Sequence, residues 1–206
     1  MGLYCGYIFP RLMEWFMDGD EFRRLREELL ASTHGNVLEL GIGTGLNLLH
    51  YPETVKELHA VDPAQLLPKT IAARSTRLSF PVHIQRGTAE ALPHADQRFD
   101  HVVSTWTLCT IPDPVLALQE VGRVLKPRGR FLFLEHGRSD DRKIAAWQDR
   151  LNPIQNAIGC GCNLNRQIDQ LIAQGGLTIT HLDRFTMASV PRLGGAMYRG
   201  TATRHD

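Results

Sequence analysis

An alternating glycine loop is the strongest indication of a ligand site in this sequence. Residues 39–45 read Glu-Leu-Gly-Ile-Gly-Thr-Gly, between an apolar strand predicted over 37–40 and a helix predicted from Leu46 to about His50. Glycines at alternate positions let a backbone turn tightly and approach a ligand closely, and a helix N-terminus favours a carboxylate or a phosphate. In the dinucleotide pattern G-x-G-x-x-G the third glycine would fall at position 46, which is leucine. The loop therefore predicts a site for an anionic group and argues against a dinucleotide.

Two further polar residues follow the ends of predicted strands. Asp62 closes the second predicted strand, and a carboxylate there can accept two hydrogen bonds from ribose hydroxyls. His136 follows the fifth and could act as a general base near neutral pH; a hydrogen-bonded structural histidine is the alternative. Asp100, beside the fourth strand, is interpreted as a fold residue rather than a catalyst. In parallel sheets such ends lie at the edge where ligands bind.

Short apolar strands alternate with helices along most of the chain. Strands are predicted at 37–40, 57–61, 82–86, 99–104, 130–135, 177–183 and 196–202, helices at 64–77, 114–125, 140–151 and 165–173, and a turn at 126–129. Apolar strands separated by helices predict a parallel sheet that is covered on both faces. The predicted fold is therefore α/β, Rossmann-like and doubly wound, with a mostly parallel seven-stranded sheet and helices on both faces.

Residues 1–34 are predicted to form an N-terminal helical extension, or lid, ahead of a ligand-binding domain over 35–206. Apolar residues recur at three- and four-residue steps between Leu12 and Leu29, and Gly19 is predicted to divide this stretch into two helices. Such a stripe indicates core packing, with a lid or a membrane-surface role as the alternative.

The order of these motifs resembles that of the class I S-adenosylmethionine (SAM)-dependent methyltransferases. The glycine loop with Glu39 resembles the family's first motif, residues 87–90 its adenine loop, 99–105 its fourth-strand motif and 125–130 the turn before its fifth strand. The resemblance implies SAM as the cofactor, with the loop around its methionine part and Glu39 placing the amino-acid end. The implied cofactor site comprises Glu39, Gly41, Ile42, Gly43, Thr44, Gly45, Asn47, Asp62, Pro63, Thr88, Ala89, Glu90, Thr105 and Trp106. The tyrosine–lysine pair of short-chain dehydrogenases is absent from the sequence, which disfavours hydride transfer.

A narrower resemblance concerns the methyl acceptor. Residues 43–52, 107–111, 135–137 and 147–164 together resemble the methyltransferase type 11 branch that includes animal alkyl-thiol methyltransferases and their bacterial relatives. This implies methyl transfer to a small thiol by in-line displacement, in which positioning supplies much of the rate. The alternatives are N- or C-methylation of a phospholipid or quinone-like acceptor and, more distantly, a nucleotide-binding module without catalysis.

Composition limits the kinds of binding partner and the cellular location that are expected for the protein. The chain has 206 residues and a formal net charge of +1, so no basic surplus indicates nucleic acid. No transmembrane stretch or secretory leader is recognised, although peripheral membrane contact stays open, and the expectation is a cytoplasmic monomer or homodimer acting on a small molecule. The four cysteines, at 5, 109, 160 and 162, have irregular spacing, which favours reduced thiols and no metal site.

Overall fold

The computed structural model describes residues 3–64 and 66–205. In chain order its elements are a π-helical turn (Tyr4–Ile8), α1 (Phe9–Met17), α2 (Asp20–Leu30), β1 (Gly35–Leu40), a 3₁₀ turn (Leu46–Leu49), β2 (Val55–Asp62), α3 (Pro68–Ser75), β3 (Val82–Arg86), β4 (Phe99–Thr105), α4 (Pro114–Val124), β5 (Leu125–His136), α5 (Arg142–Ile158), α6 (Ile168–Gln174), β6 (Leu177–Thr186) and β7 (Ala196–Arg204). Each of the seven predicted strands is present.

The seven strands form one sheet in the order β3-β2-β1-β4-β5-β7-β6. Strands β1 to β5 pair in parallel, whereas β7 runs antiparallel to β5 and β6. The predicted Rossmann-like fold class is confirmed. Successive strands run outward from β1 to β3 on one side, and β4 then starts the other side next to β1. At such a switch point the carboxyl ends of the two neighbouring strands form the crevice in which ligands bind.

Apolar side chains cover both faces of the sheet. On one face Phe131 and Phe133 pack in a cluster with Leu118 of α4, and on the other Leu132 shares a cluster with Phe22 of α2. Residues 131–134 are at most 1% exposed, because successive strand side chains point to opposite faces and each face is covered. Burial on both faces explains why the strand is continuously apolar. The same packing holds the carboxyl end of the strand in place.

The N-terminal extension consists of two helices that differ in burial. As predicted, Gly19 separates them, adopting an extended conformation before α2. Helix α2 buries Phe22, Leu25 and Leu29 against the sheet, as expected of core packing, whereas Trp15 of α1 is 78% exposed. No described helix has the length and apolar character needed to cross a membrane.

A disulfide joins the start of the chain to the loop after α5. Cys5 and Cys160 are bonded across 155 positions of sequence, and the Tyr4 hydroxyl donates to the Ile158 carbonyl at 3.0 Å beside them. Among the described residues Cys109 and Cys162 are free. The prediction of four reduced thiols is therefore wrong for Cys5 and Cys160, and the basis for expecting a reducing compartment is removed.

Three local predictions also need correction. The helix predicted over 46–50 is a single 3₁₀ turn that begins after the left-handed Gly45. The expected attraction of an anionic group by a helix dipole is therefore absent at this loop. Residues 126–129, predicted as a turn, lie within β5, where they bulge between the pairs Phe99–Leu125 and His101–Arg130. Helix α3 begins at Pro68, whose ring suits the first helical position, rather than near residue 64.

Candidate active site

Strand β1 carries the glycine loop to the carboxyl edge of the sheet, at the switch point. Gly41, Gly43 and Gly45 have φ values of 70°, 55° and 83°, which side chains with a Cβ rarely adopt. A Cβ at Gly41 would lie 2.6 Å from the Thr107 Cγ2, whereas nothing lies within 4 Å of a Cβ built at Gly43. The backbone at Gly43 therefore borders open space that a ligand can enter.

Asp62, the last residue of β2, anchors this loop. Its Oδ2 accepts from the Gly43 amide at 2.9 Å, and its Oδ1 accepts from the Ala64 amide at 2.8 Å. Burial raises the pKa of Asp62 above its usual range. Since each carboxylate oxygen can accept more than one hydrogen bond, the carboxylate retains capacity for the predicted ribose hydroxyls in addition to its structural role.

A buried polar network lies beneath the loop. The Asn47 Nδ2 donates to the Glu39 Oε1 and to the Thr105 Oγ1, each at 2.9 Å, and the Tyr51 hydroxyl donates to the Glu39 Oε2 at 2.9 Å. Burial is the main cause that raises the pKa of Glu39 to about 7. The Asn47 Oδ1 is buried and has no hydrogen-bond partner among the described residues. This orphaned acceptor and the open space at Gly43 fit a ligand with an ammonium group and a need for close backbone approach, as the amino-acid end of SAM has.

The remaining predicted cofactor residues follow the ends of neighbouring strands. Residues 88–90 follow β3 after Gly87, and Pro63 and Trp106 come directly after β2 and β4, so the sheet brings these segments to one edge. Ile42 and Ala89 are exceptions in their side chains, which are 4% and 9% exposed and pack in the core. Any contribution of these two residues to a ligand site comes from the backbone. Tyr51 was missed in the predicted set, because a tyrosine after a short helix carries no signal of its own.

The N-terminal extension covers this edge at two points. Arg74 of α3 donates to the Thr44 carbonyl at 2.7 Å and also pairs with Glu14 of α1. On the other side the Phe22 ring lies 5.2 Å from that of Trp106, and the Arg26 guanidinium lies 4.9 Å from the Trp106 ring. Both helices are thus connected to segments predicted to touch the cofactor.

Glu135, near the end of β5, organises the loop that follows β4. Its Oε1 accepts from the Ser104 Oγ at 2.7 Å and from the Thr107 amide at 3.2 Å, and its Oε2 accepts from the Leu108 amide at 3.1 Å. The carboxylate is fully buried and therefore serves to shape the loop that carries Trp106 and Cys109.

His136 lies at the carboxyl end of β5 in a cluster with two free cysteines. Its Nε2 is 3.2 Å from the Cys162 Sγ, while its Nδ1 is buried without a partner among the described residues. One side-chain atom each of Cys109, His136 and Cys162 lies within 4.8 Å of the other two. No spacing motif in the sequence marks this grouping, since the three residues come from separate elements. Asp100, in contrast, lies at the opposite edge, where it accepts from the Asn36 amide at 2.8 Å and pairs with Lys126, in keeping with a fold residue.

The curated relatives that this chain resembles are methyltransferases, and their names include thiol, phosphatidylethanolamine and demethylmenaquinone methyltransferases. Residues 38–133 match a family model described as a methyltransferase domain. The human thiol S-methyltransferase TMT1B is 34% identical over 177 residues, which cover 79% of this chain and 72% of that protein. The rat thiol S-methyltransferase TMT1B is 35% identical over 150 residues, covering 71% of this chain and 61% of that protein.

Solved structures show the same fold. A SAM-dependent methyltransferase of Thermotoga maritima, described as a possible histamine N-methyltransferase, superposes with a TM-score of 0.68 at 19% identity, covering 97% of this chain and 99% of the other. At this identity the likeness concerns the fold alone. The match to the rat protein, like that to human TMT1A, spans 61% of the relative's length, so what the whole relatives do is not carried over by similarity alone.

Proposed function

This chain is a class I SAM-dependent methyltransferase, and we propose that it transfers the methyl group of SAM to the sulfur of a small thiol. The observation that carries the thiol assignment is the similarity to human TMT1B, which covers 79% of the chain. A match of that length includes Cys109 and His136 wherever it begins. It therefore extends beyond the cofactor crevice to the sulfur-rich cluster at the end of β5.

The cofactor residues have distinct tasks in this proposal. The backbone at Gly43 and the unpartnered Asn47 Oδ1 receive the amino-acid end of SAM, and Asp62 accepts from its ribose hydroxyls while holding the loop. Residues 88–90, on the far side of β2, border the adenine. When bound, SAM supplies a methyl group on a sulfonium, which is already activated towards a nucleophile.

The acceptor is proposed to enter on the β5 side, between Trp106 and the cluster at His136. Cys109 and Trp106 lie on one loop that Glu135 fixes through two backbone amides, so the loop can orient an acceptor without moving. Precise orientation is the main contribution that the reaction needs from the protein. A thiol has a reference pKa of about 8.5, so part of it is already ionised near neutral pH.

The surroundings of His136 do not suit the general-base role that was considered from the sequence. Its Nε2 lies against the Cys162 Sγ at 3.2 Å, so this nitrogen is not free to take a proton from the acceptor directly. We therefore propose that His136 works together with Cys109 and Cys162 on the acceptor side, and that it is not a general base acting alone.

The test is a panel of acceptors with different nucleophiles. The purified protein is incubated with methyl-labelled SAM and an alkanethiol, with the amine or alcohol of the same carbon skeleton, or with a phenol or a quinol. We expect label in the thioether alone. Label in the amine, the phenol or the quinol, with none in the thioether, would overturn the thiol assignment in favour of N-, O- or C-methylation.

A further inference from the structure

Cys109, His136 and Cys162 have the composition of a metal site. They come from the loop after β4, the end of β5 and the loop after α5, and one ligand atom of each lies within 4.8 Å of the others. Cys109 and His136 are buried and Cys162 is half-buried. Because the three side chains come from separate elements and are at least half-buried, their closeness is set by the fold and not by chance contact on a flexible surface.

The two cysteine segments are held together by Asn163. Its backbone amide and its Nδ2 both donate to the Cys109 carbonyl, at 3.0 and 2.9 Å. Its Oδ1 accepts from the Asn152 Nδ2 of α5 at 3.1 Å, and the Cys162 amide donates to the Gly159 carbonyl at 3.1 Å. The backbones of both cysteine segments are therefore held in place by hydrogen bonds that do not involve the thiols.

The donor set selects the kind of metal. Two cysteines and a histidine suit Zn²⁺ and other borderline-soft divalent ions rather than Mg²⁺ or Ca²⁺. Two thiolates balance the charge of a divalent cation, so a metal here would bring no net charge into a buried place. Glu135, the nearest acid in sequence, already accepts three hydrogen bonds and does not complete the set.

Three protein ligands with a fourth position left over are typical of catalytic rather than structural zinc. A second grouping, Glu57, His59 and His83, lacks these features. Its His83 is exposed, and the His59 Nε2 already has a hydrogen-bond partner in the Arg98 guanidinium at 2.9 Å, so two of its three members are poorly placed to hold a metal.

We propose that Cys109, His136 and Cys162 bind one Zn²⁺ whose fourth position takes the sulfur of the acceptor thiol; this second part rests on the proposed function. The thiol releases its proton to solvent water on binding. Its sulfur then gains the methyl carbon as the bond from that carbon to the sulfonium of SAM breaks, leaving a thioether on each product. No electron transfer is involved, and His136 is a ligand in this arrangement.

Cobalt substitution tests the site without an activity assay. The full-length protein, freed of metal by a chelator, is titrated with Co²⁺ and followed by absorption. We expect one equivalent to give the thiolate charge-transfer band and the visible bands of tetrahedral cobalt, and Zn²⁺ to abolish them. Absence of these bands, together with no zinc in the purified protein, would overturn the proposal.

Matched variants locate the signal. C162S and H136Q should each weaken Co²⁺ binding by at least about 100-fold, since loss of a residue that only supports a ligand already costs about 10- to 100-fold. H83Q, in the other grouping, should leave the spectrum unchanged. To separate the loss of a ligand from the loss of the fold, SAM-dependent protection against thermal unfolding is measured on each variant. Loss of the bands in H83Q, or their full retention in a folded H136Q, would assign the metal elsewhere and contradict the proposal.

An alkanethiol added to the cobalt protein tests the fourth position. We expect the thiol, but not the corresponding alcohol, to change the charge-transfer band. Cobalt bands without thiol methylation in the acceptor panel would support the metal site and contradict the proposed function. Thiol methylation by a protein that binds no metal would support the function and contradict the metal site.

Discussion

At the scale of single residues, Gly43 and Asp62 form the contact on which cofactor binding depends. The Gly43 amide donates to Asp62 while its α-carbon faces open space, so one residue both shapes the loop and leaves room for a ligand. Neither role tolerates a side chain, because φ is positive and the space is needed.

Gly43→Val is expected to abolish detectable SAM binding in calorimetry, because the side chain fills the approach and strains the loop. Gly176→Val is the matched control: Gly176 also has a positive φ, of 79°, and nothing within 4 Å of a built Cβ, but lies between α6 and β6. Both variants should lose about 1–2 kcal/mol of stability. Equal SAM affinity in the two variants would contradict the assignment of the loop.

Glu39 gives the site a pH dependence whose sign follows from burial. Its pKa is raised in the folded protein from 4.5 to about 7, so the folded state holds the proton more tightly than the unfolded state. The stability that this contributes is present below pH 4.5 and is lost as pH rises to about 7. The upper limit of the loss is about 3 kcal/mol.

Glu39→Gln should therefore flatten the fall in the free energy of unfolding between pH 5 and pH 8, measured by urea denaturation of the protein without cofactor. The variant keeps a carbonyl oxygen for the Asn47 Nδ2 and removes the charge. Glu53→Gln, at an exposed position, should leave the profile as in the unchanged protein. A Glu39→Gln profile that is as steep as that of the unchanged protein would show that burial does not perturb this carboxyl.

At the scale of elements, we propose that α1 acts as the lid predicted from the sequence, while α2 stays packed in the core. Arg74 connects Glu14 of α1 to the Thr44 carbonyl, and α2 packs Phe22 on Trp106. The two contacts lie on either side of Gly19, the junction at which the helices can change their relative angle.

Glu14→Gln should weaken SAM binding by about two- to fivefold, since a partly buried ion pair contributes up to about 1 kcal/mol. It should also raise the rate of protease cleavage near Gly19 in the presence of SAM. Glu28→Gln removes an ion pair between α2 and Arg199 of β7, and it should change neither quantity. If the two variants behaved alike, the extension would be a structural cap without a lid function.

At the scale of the whole molecule, features encoded by neighbouring residues could be predicted from the sequence. Contacts between residues that are distant in the chain could not. Strand β3 was predicted to the residue, and the glycine loop and Asp62 meet as expected, because both follow adjacent strands of a parallel sheet. The Cys5–Cys160 disulfide and the cluster of Cys109, His136 and Cys162 were missed. Their members are far apart in sequence, and no spacing motif marks a site assembled from three separate elements.

The 3₁₀ turn after Gly45 shows a second limit of sequence patterns. The apolar residues 46–49 fit a longer helix equally well, but Leu46, Asn47 and Leu48 are buried and Asn47 is fixed by Glu39 and Thr105. Tertiary hydrogen bonds thus decide the local conformation, and they leave the Asn47 Oδ1 without a partner among the residues that the structure describes.

A crystal structure with bound S-adenosylhomocysteine, the demethylated product, tests the central claim most directly. The account predicts that its amino-acid end lies over Gly43 with the ammonium at the Asn47 Oδ1, that its ribose hydroxyls donate to Asp62, and that its sulfur points towards Trp106 and the cluster at His136. Product bound away from this crevice, or lying in it with its sulfur directed away from the cluster, would contradict the account.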